Sequence, residues 1–191
     1  MKQQLLFLTF TLFLHLTPVQ SQEALNYITV ESYDSSTESY LLASKEEYTY
    51  NPNGQLKKAE RYYRDSDVWI KISKEEFLYD SDGNLTENTS AIWITTTNQW
   101  SNSYKYVTIY SNNKMTGQIS YEWLNAEWTP EYKSDFMYVL NNIETFNSYD
   151  WIGGQWILDE RGVLTYSSGK ISEITTEEFI NSNWTLSDKT I

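Results

Sequence analysis

The sequence contains no cysteine and a single histidine, His15. A chain without cysteine forms no disulfide bonds and offers no thiol as a nucleophile or metal ligand. His15 lies in a segment that we expect to be cleaved off. Histidine acid–base chemistry, catalytic triads and the usual zinc or copper sites are therefore excluded from the remaining chain. We predict neither a metal site nor a cofactor.

Long hydrophobic runs are also scarce. The one clear run, residues 5–16, follows a short basic start that includes Lys2, and a small residue, Ser21, ends the segment. This order is typical of a secretory signal peptide, and the run is shorter than the roughly 20 apolar residues that cross a bilayer. We predict a signal peptide at residues 1–21 and a single domain at 22–191 without a transmembrane span. The expected location is secreted or on the surface of a bacterial cell.

Positive charge is in deficit, with 14 Lys+Arg against 26 Asp+Glu and a formal net charge of −12. A chain with this balance repels phosphate backbones. We therefore predict no nucleic-acid partner.

Aromatic residues, in contrast, are abundant at 16% of the chain, and the tryptophans recur at a nearly fixed interval. The intervals between five of them are 31, 28, 28 and 28 residues. Each of the five precedes a cation by five residues: Trp69 and Lys74, Trp100 and Lys105, Trp128 and Lys133, Trp156 and Arg161, Trp184 and Lys189. A fixed period marks a repeat architecture, which is clear from about residue 40.

Turn-forming residues separate short aromatic and apolar stretches within each repeat. Examples are Asp80-Ser-Asp-Gly-Asn84, Asn125-Ala126, Gly153-Gly154 and Asn181-Ser182. Asn, Asp and Gly tolerate the positive φ that tight hairpins require. We predict an all-β fold, an antiparallel meander of about six ~28-residue hairpin repeats with about eleven or twelve strands. A sheet this long is expected to be twisted, curled or barrel-like.

The short turns also predict which aromatic residues face one another. A two-residue turn at Asn125-Ala126 pairs Trp123 with Trp128, and the same register pairs Trp151 with Trp156 and Phe179 with Trp184. Trp93 and Trp100 flank a longer turn. Strict alternation along the strand then places Phe136 and Tyr138 on the face of Trp128, and Lys133 on the opposite face.

The stretches from Tyr50 to Leu56 and from Tyr79 to Leu85 resemble the YD repeats of bacterial RHS-like proteins. The Trp-x4-Lys spacing is similar to that of secreted bacterial repeat proteins, often exported by type IX secretion. The resemblance implies a β-hairpin repeat protein at the cell surface or outside the cell, in families of mostly unassigned function. Because the sequence ends just after a Trp-x4-Lys unit, we expect a longer reading frame that continues the repeat.

Two sets of residues are candidate ligand contacts. The aromatic row is either a stacking platform for sugars or peptides or the packed face of the sheet: Trp93, Trp100, Trp123, Trp128, Trp151, Trp156 and Trp184. The basic row either contacts an anionic polysaccharide or keeps the β-surface soluble: Lys105, Lys133, Arg161 and Lys189.

Carboxylates supply two further hypotheses. Asp80 and Asp82 precede a glycine, as at the start of a calcium loop, but the same residues fit a type I turn with a bulge. Three adjacent glutamate pairs are candidates for a carboxylate-based glycoside hydrolase, which needs two carboxyls about 5–10 Å apart: Glu46-Glu47, Glu75-Glu76 and Glu177-Glu178.

The leading hypothesis is an exported, non-enzymatic repeat protein for surface interaction, adhesion or carbohydrate contact. Its partner would be a glycan, a cell-surface protein, or another copy through sheet edges or the aromatic face. The alternatives are a structural spacer without a ligand and, less favoured, the glycoside hydrolase.

Overall fold

The computed structural model describes residues 24–35, 38–180 and 183–190. These residues form twelve β-strands: β1 (Tyr27–Asp34), β2 (Ser39–Tyr50), β3 (Leu56–Asp65), β4 (Val68–Tyr79), β5 (Leu85–Ile94), β6 (Gln99–Ser111), β7 (Lys114–Leu124), β8 (Glu127–Val139), β9 (Asn142–Ile152), β10 (Gln155–Ser167), β11 (Lys170–Ile180) and β12 (Asn183–Thr190). The predicted signal peptide, residues 1–21, lies outside the described residues.

All twelve strands belong to one sheet, in which each strand pairs antiparallel with the next strand of the chain. The predicted all-β meander is therefore confirmed. The sheet is open rather than closed into a barrel, and β1 and β12 are its edges.

The turns follow the chemistry that their sequences indicate. Asn125 and Ala126 have φ of 52° and 64°, and Gly153 and Gly154 have φ of 61° and 85°. Two successive positive φ values are the geometry of a type I′ hairpin, which matches the twist of the flanking strands. The turn predicted at residues 181–182 lies outside the described residues.

The sheet has almost no conventional core. Within the described ranges, the buried apolar residues are Ala59 and Ala91, and the buried polar side chains are Ser120 and Ser148. No large side chain in these ranges is fully buried. Since no second layer of the described residues covers either face, contacts between neighbouring strands must supply most of the stability in this part of the chain.

Every pair of neighbouring strands contains one register shift. Between β7 and β8, Tyr121 pairs with Pro130 and Ser120 with Tyr132, so that Glu131 is an extra, bulged residue. The equivalent extra residues in β4, β10 and β12 are Ile72, Asp159 and Ser187. Each comes three residues after the tryptophan of its repeat, so the bulge is part of the repeating unit.

Candidate functional site

Tryptophan pairs form a row of rungs along one face of the sheet, which we call the tryptophan face. Ring centroids are 5.1 Å apart for Trp93–Trp100, 4.9 Å for Trp123–Trp128, 4.9 Å for Trp151–Trp156 and 5.2 Å for Phe179–Trp184. The three tryptophan pairs are edge-to-face, with interplanar angles of 64–72°. This arrangement aligns the positive edge of one ring with the negative face of the other. The register predicted for the Trp123–Trp128, Trp151–Trp156 and Phe179–Trp184 pairs is confirmed. Trp93 and Trp100 also pair directly, across their longer turn.

The basic row also lies on the tryptophan face, and the prediction that Lys133 lies on the opposite face is wrong. Lys133 pairs with Ile119 and Tyr149, and its Nζ is 4.8 Å from the Tyr149 ring centroid. The physical reason is the bulge at Glu131. Five residues separate Trp128 from Lys133, but one of them is extra, so strand alternation returns the lysine to the tryptophan's side.

The same bulge moves Phe136 and Tyr138 to the face opposite Trp128, so the prediction that both share the face of Trp128 is also wrong. The second face, which we call the tyrosine face, carries the tyrosines that close each repeat: Tyr50, Tyr79, Tyr110, Tyr138 and Tyr166. Each is the last or next-to-last residue of an even-numbered strand.

Most cations of the tryptophan face reach forward to the tryptophan of the following repeat. Lys105 Nζ is 5.1 Å from the ring centroid of Trp128, and Arg161 Cζ is 4.3 Å from that of Trp184. Lys45 and Lys74 contact Trp69 and Trp100 in the same way. A cation–π contact at a partly exposed site contributes about 0.5–1 kcal/mol. The Trp-x4-Lys motif thus connects successive repeats. The sequence predicted only a polysaccharide contact or a solubilising role for these cations.

Carboxylates already neutralise most of these cations. Lys133 contacts Asp135 at 2.7 Å, Arg161 contacts Glu177 at 2.7 Å, and Lys189 contacts Glu173 at 2.9 Å. Lys105 has no ion pair within the described ranges; its Nζ lies 4.7 Å from the Tyr121 ring centroid instead. The row therefore presents paired charges, with Lys105 as its exception.

On the tyrosine face, hydroxyl groups connect the repeats in the reverse direction. The Tyr138 hydroxyl donates to the Met115 carbonyl at 2.8 Å, and the Tyr166 hydroxyl donates to the Ile143 carbonyl at 2.9 Å. Both acceptors immediately precede a bulged residue, Thr116 or Glu144. A bulge interrupts the ladder of strand hydrogen bonds, so each tyrosine provides a partner at the interruption.

The carboxylate of Asp80 is occupied by its own turn. It accepts hydrogen bonds from the backbone N–H of Asp82 and Asn84 at 3.0 and 2.8 Å, and from the Asn84 side chain at 2.9 Å. These bonds, led by that of the Asn84 side chain, lower the pKa of Asp80. Gly83 has φ of 90°, and its N–H donates to the Asp80 carbonyl. The stretch is a hydrogen-bonded turn, and the described residues contain no group of three or more possible metal-ligating side chains.

The glutamate pairs are split by the sheet. Adjacent residues of a strand point to opposite faces, so Glu46 contacts Arg61 on the tyrosine face while Glu47 contacts Lys45 on the tryptophan face. Glu75 and Glu76 separate likewise, to Arg61 and Lys74. Neither pair brings its two carboxyls to the same face, which is the arrangement that a glycosidase requires.

One group of titratable residues was not identified from the sequence. On the tyrosine face, Asp150 pairs with Tyr132, and Glu160 pairs with Ser148 and Glu178. Burial and the neighbouring Asp159 raise the pKa of Asp150, and burial together with Glu178 raises that of Glu160. Burial also raises the pKa of Tyr132. Cross-strand register brings these residues together, and no short motif in the sequence shows that register.

The part of the chain that the structure describes has no helix both long and apolar enough to cross a membrane.

The fold and its two faces define a single-layered antiparallel β-repeat protein. No protein-family model and no curated protein sequence matches the chain. The chain is similar in structure to a protein of unknown function from Bacteroides fragilis, with a TM-score of 0.50 and 16% identity over 72% of this chain and 91% of that one.

Two DUF3836 family proteins are similar over smaller parts of this chain. The one from Bacteroides vulgatus has a TM-score of 0.42 and 19% identity, over 46% of this chain and 90% of its own. The one from Parabacteroides distasonis has a TM-score of 0.33 and 18% identity, over 44% and 89%. At such identities, structural similarity concerns the fold alone, and the function must be argued from the site.

Proposed function

We propose that this chain is an exported, non-enzymatic interaction module that contacts an extended glycan across its tryptophan face. The observation that carries the proposal is the row of aromatic rungs. Each rung joins two neighbouring strands, and the next rung joins the following two. Successive rungs are therefore two strands, or about 10 Å, apart at the usual spacing between strands. An extended polysaccharide presents the apolar face of a sugar ring at regular intervals of this order. A regular polymer therefore suits the row better than a compact ligand does.

The charges of the tryptophan face favour a neutral glycan over an anionic one. The cations beside the rungs are largely paired with carboxylates. The whole chain carries a formal net charge of −12, which repels a polyanion over the Debye length. Paired cations and carboxylates offer hydrogen-bond donors and acceptors side by side, which suit sugar hydroxyls.

Affinity electrophoresis through gels that contain soluble β-glucan, xylan, mannan or polygalacturonate tests this proposal. We expect retardation by at least one neutral polysaccharide and none by polygalacturonate. Trp128→Ala should remove the retardation, because it dismantles one rung. Tyr106→Ala, a matched loss of an aromatic ring on the tyrosine face, should keep it. Equal mobility of the native protein in every gel would refute glycan binding.

Export is proposed from the predicted signal peptide. Mass spectrometry of the protein recovered from the culture medium or the cell surface should give a mature N-terminus at Gln22. Recovery from the cell interior alone, with residues 1–21 still attached, would refute it.

The second candidate is a structural spacer without a ligand, and one observation favours it. The tryptophans and cations of the face already contact one another between repeats. These contacts stabilise the sheet even if no ligand binds, so the residues have a role without one. A related proposal is self-association through the outer edge of β1, which pairs with no other strand of the described residues. Tyr27 and Val30 of this strand are 62% and 54% exposed. Edge strands pair readily with other chains, and sedimentation velocity at increasing concentration would detect the association.

A further inference from the structure

The tryptophan face contains a hollow of about 280 Å³ between β8 and β11. Met137 and Val163 form its apolar part, and both are exposed, at 59% and 47%. Thr145, Asn147, Arg161 and Glu177 supply polar groups around it. The volume equals that of about nine water molecules at about 30 Å³ each, which is enough for one sugar ring.

The hollow occurs where the repeats differ from one another. Asn147 pairs with Arg161, whereas the equivalent residue one repeat earlier, Ile119, pairs with Lys133. Glu177 also pairs with Arg161, whereas Tyr149 takes that position beside Lys133. The cation is thus flanked by an isoleucine and a tyrosine in one repeat, and by an amide and a carboxylate in the next. The face becomes concave and polar at this cation.

The polar groups of the hollow combine donors and acceptors in one place. The Arg161 Nε donates to Glu177 Oε2 at 2.7 Å, and the two side chains are 45% and 38% exposed. The terminal guanidinium nitrogens and the second carboxylate oxygen remain available for a ligand. The Asn147 amide adds one donor group and one acceptor. Such a set matches two neighbouring hydroxyls of a pyranose, each of which donates and accepts.

The surroundings of Arg161 supply the apolar contact that a sugar also needs. Its Cζ is 4.3 Å from the Trp184 ring centroid, which fixes the plane of the guanidinium beside the last aromatic rung. Trp184 supports Arg161 from outside the hollow, and the apolar groups that line the hollow itself are Val163 and Met137. Ligand sites typically combine such apolar walls with a few convergent polar groups.

We propose that this hollow is a subsite for one neutral hexose unit of the glycan. The inference rests on the proposed function and assigns it a place. Glu177 excludes a carboxylated sugar, because the sugar carboxylate would lie against an anionic side chain. The remaining rungs stack neighbouring sugar units without selecting their hydroxyls.

The test introduces residues that the preceding repeat already carries, so that folding is retained. Asn147→Ile copies Ile119, and Glu177→Tyr copies Tyr149. Thr89→Ile is the matched control, because Thr89 pairs with Lys105 as Asn147 pairs with Arg161, but lies in another repeat. Binding is measured by calorimetric titration with the neutral polysaccharide that retards the native protein, and thermal melting verifies folding.

Asn147→Ile and Glu177→Tyr are each expected to weaken binding about tenfold, the loss that follows from one hydrogen-bonded group. Thr89→Ile should change it by less than about twofold. Glu177→Tyr should also create weak binding of polygalacturonate, because Arg161 loses its carboxylate partner.

Native affinity in both hollow variants, with binding lost in Trp128→Ala, would overturn the subsite and leave the glycan platform standing. Absence of binding by the native protein would overturn both. If a hollow variant fails to fold, Thr145→Val is used in its place, since it removes only a hydroxyl from the same hollow.

Discussion

The two faces of this single sheet connect neighbouring repeats through different kinds of contact. On the tryptophan face, cations contact aromatic rings and are neutralised by carboxylates such as Glu47 and Glu173, whose hydrogen bonds from lysines lower their pKa values. On the tyrosine face, hydroxyls donate to backbone carbonyls, and Asp150 and Glu160 have no ion pair within the described ranges. Most charges of the tryptophan face are paired, with Lys105 as an exception, whereas part of the tyrosine face holds carboxylates whose pKa values are raised.

The largest expected effect is the loss of a rung. Trp128→Ala removes the contact with Trp123 and the ring below Lys105. Tryptophan removal from a core costs about 3–5 kcal/mol, and we expect about 3 kcal/mol here because the ring is only half-buried. Urea unfolding followed by circular dichroism measures the loss. A cost below about 1 kcal/mol would show that the rungs contribute little to stability.

The next effect concerns packing on the tyrosine face. A Cβ at Gly162 would lie 2.1 Å from Cε1 of Phe146, so Gly162→Ala should destabilise the sheet by about 2 kcal/mol through overpacking. Gly117→Ala, on the tryptophan face, meets its nearest atom at 3.1 Å and should cost less. Melting temperatures compare the two variants. Addition of Phe146→Leu to the Gly162 variant should restore part of the loss, and equal stability of the two alanine variants would contradict the expectation.

A smaller effect is expected for the hydroxyl bonds. Tyr138→Phe removes the bond to the Met115 carbonyl and should cost about 1 kcal/mol. Tyr110→Phe is the matched control, because the Tyr110 hydroxyl makes no hydrogen bond to any residue that the structure describes. Equal urea midpoints for the two phenylalanine variants would show that the interrepeat bond contributes no net stability.

The smallest expected effect is that of single carboxyl groups on the free energy of unfolding, and its sign differs between the two faces. The pKa of Asp150 is raised in the folded state, so its ionisation above the unfolded pKa opposes folding, and this penalty disappears as the pH falls through the folded pKa. The pKa of Glu47 is lowered, so its contribution is present above the unfolded pKa and is lost on acidification.

Asp150→Asn should therefore stabilise the protein at pH 7, and Glu47→Gln should destabilise it. Both differences should shrink at about pH 3, where carboxyls are largely protonated. Urea midpoints at the two pH values measure them. Shifts of the same sign in the two variants at pH 7 would contradict the contrast between the faces.

The repeat and the pairing of the rungs were predictable because two-residue turns fix register directly. Asn125 and Ala126 determine that Trp123 lies opposite Trp128, whatever else the strand contains. The assignment of faces was not predictable from alternation, because no single residue type marks the bulged positions: Ile72, Glu131, Asp159 and Ser187. The available signal was the recurrence of tryptophan and a cation at an odd spacing, since these side chains attract each other when they share a face.

The site was predicted in part. Its tryptophans and cations were named from the sequence, but their contact with one another was not. Asn147 was not singled out, because it looks like an ordinary polar strand residue, and Glu177 was considered only with Glu178 as a candidate glycosidase pair. Only the strand register reveals that both lie beside Arg161.

The bulge at Glu131 also constrains how such a chain can change length during evolution. Deletion of this one residue would exchange the faces of the residues that follow it in β8. Lys133 would leave Tyr149, and Tyr138 would lose the Met115 carbonyl, although no interacting side chain had been altered. Insertions and deletions should therefore be tolerated in the turns, or as whole repeats, and be selected against within the strands.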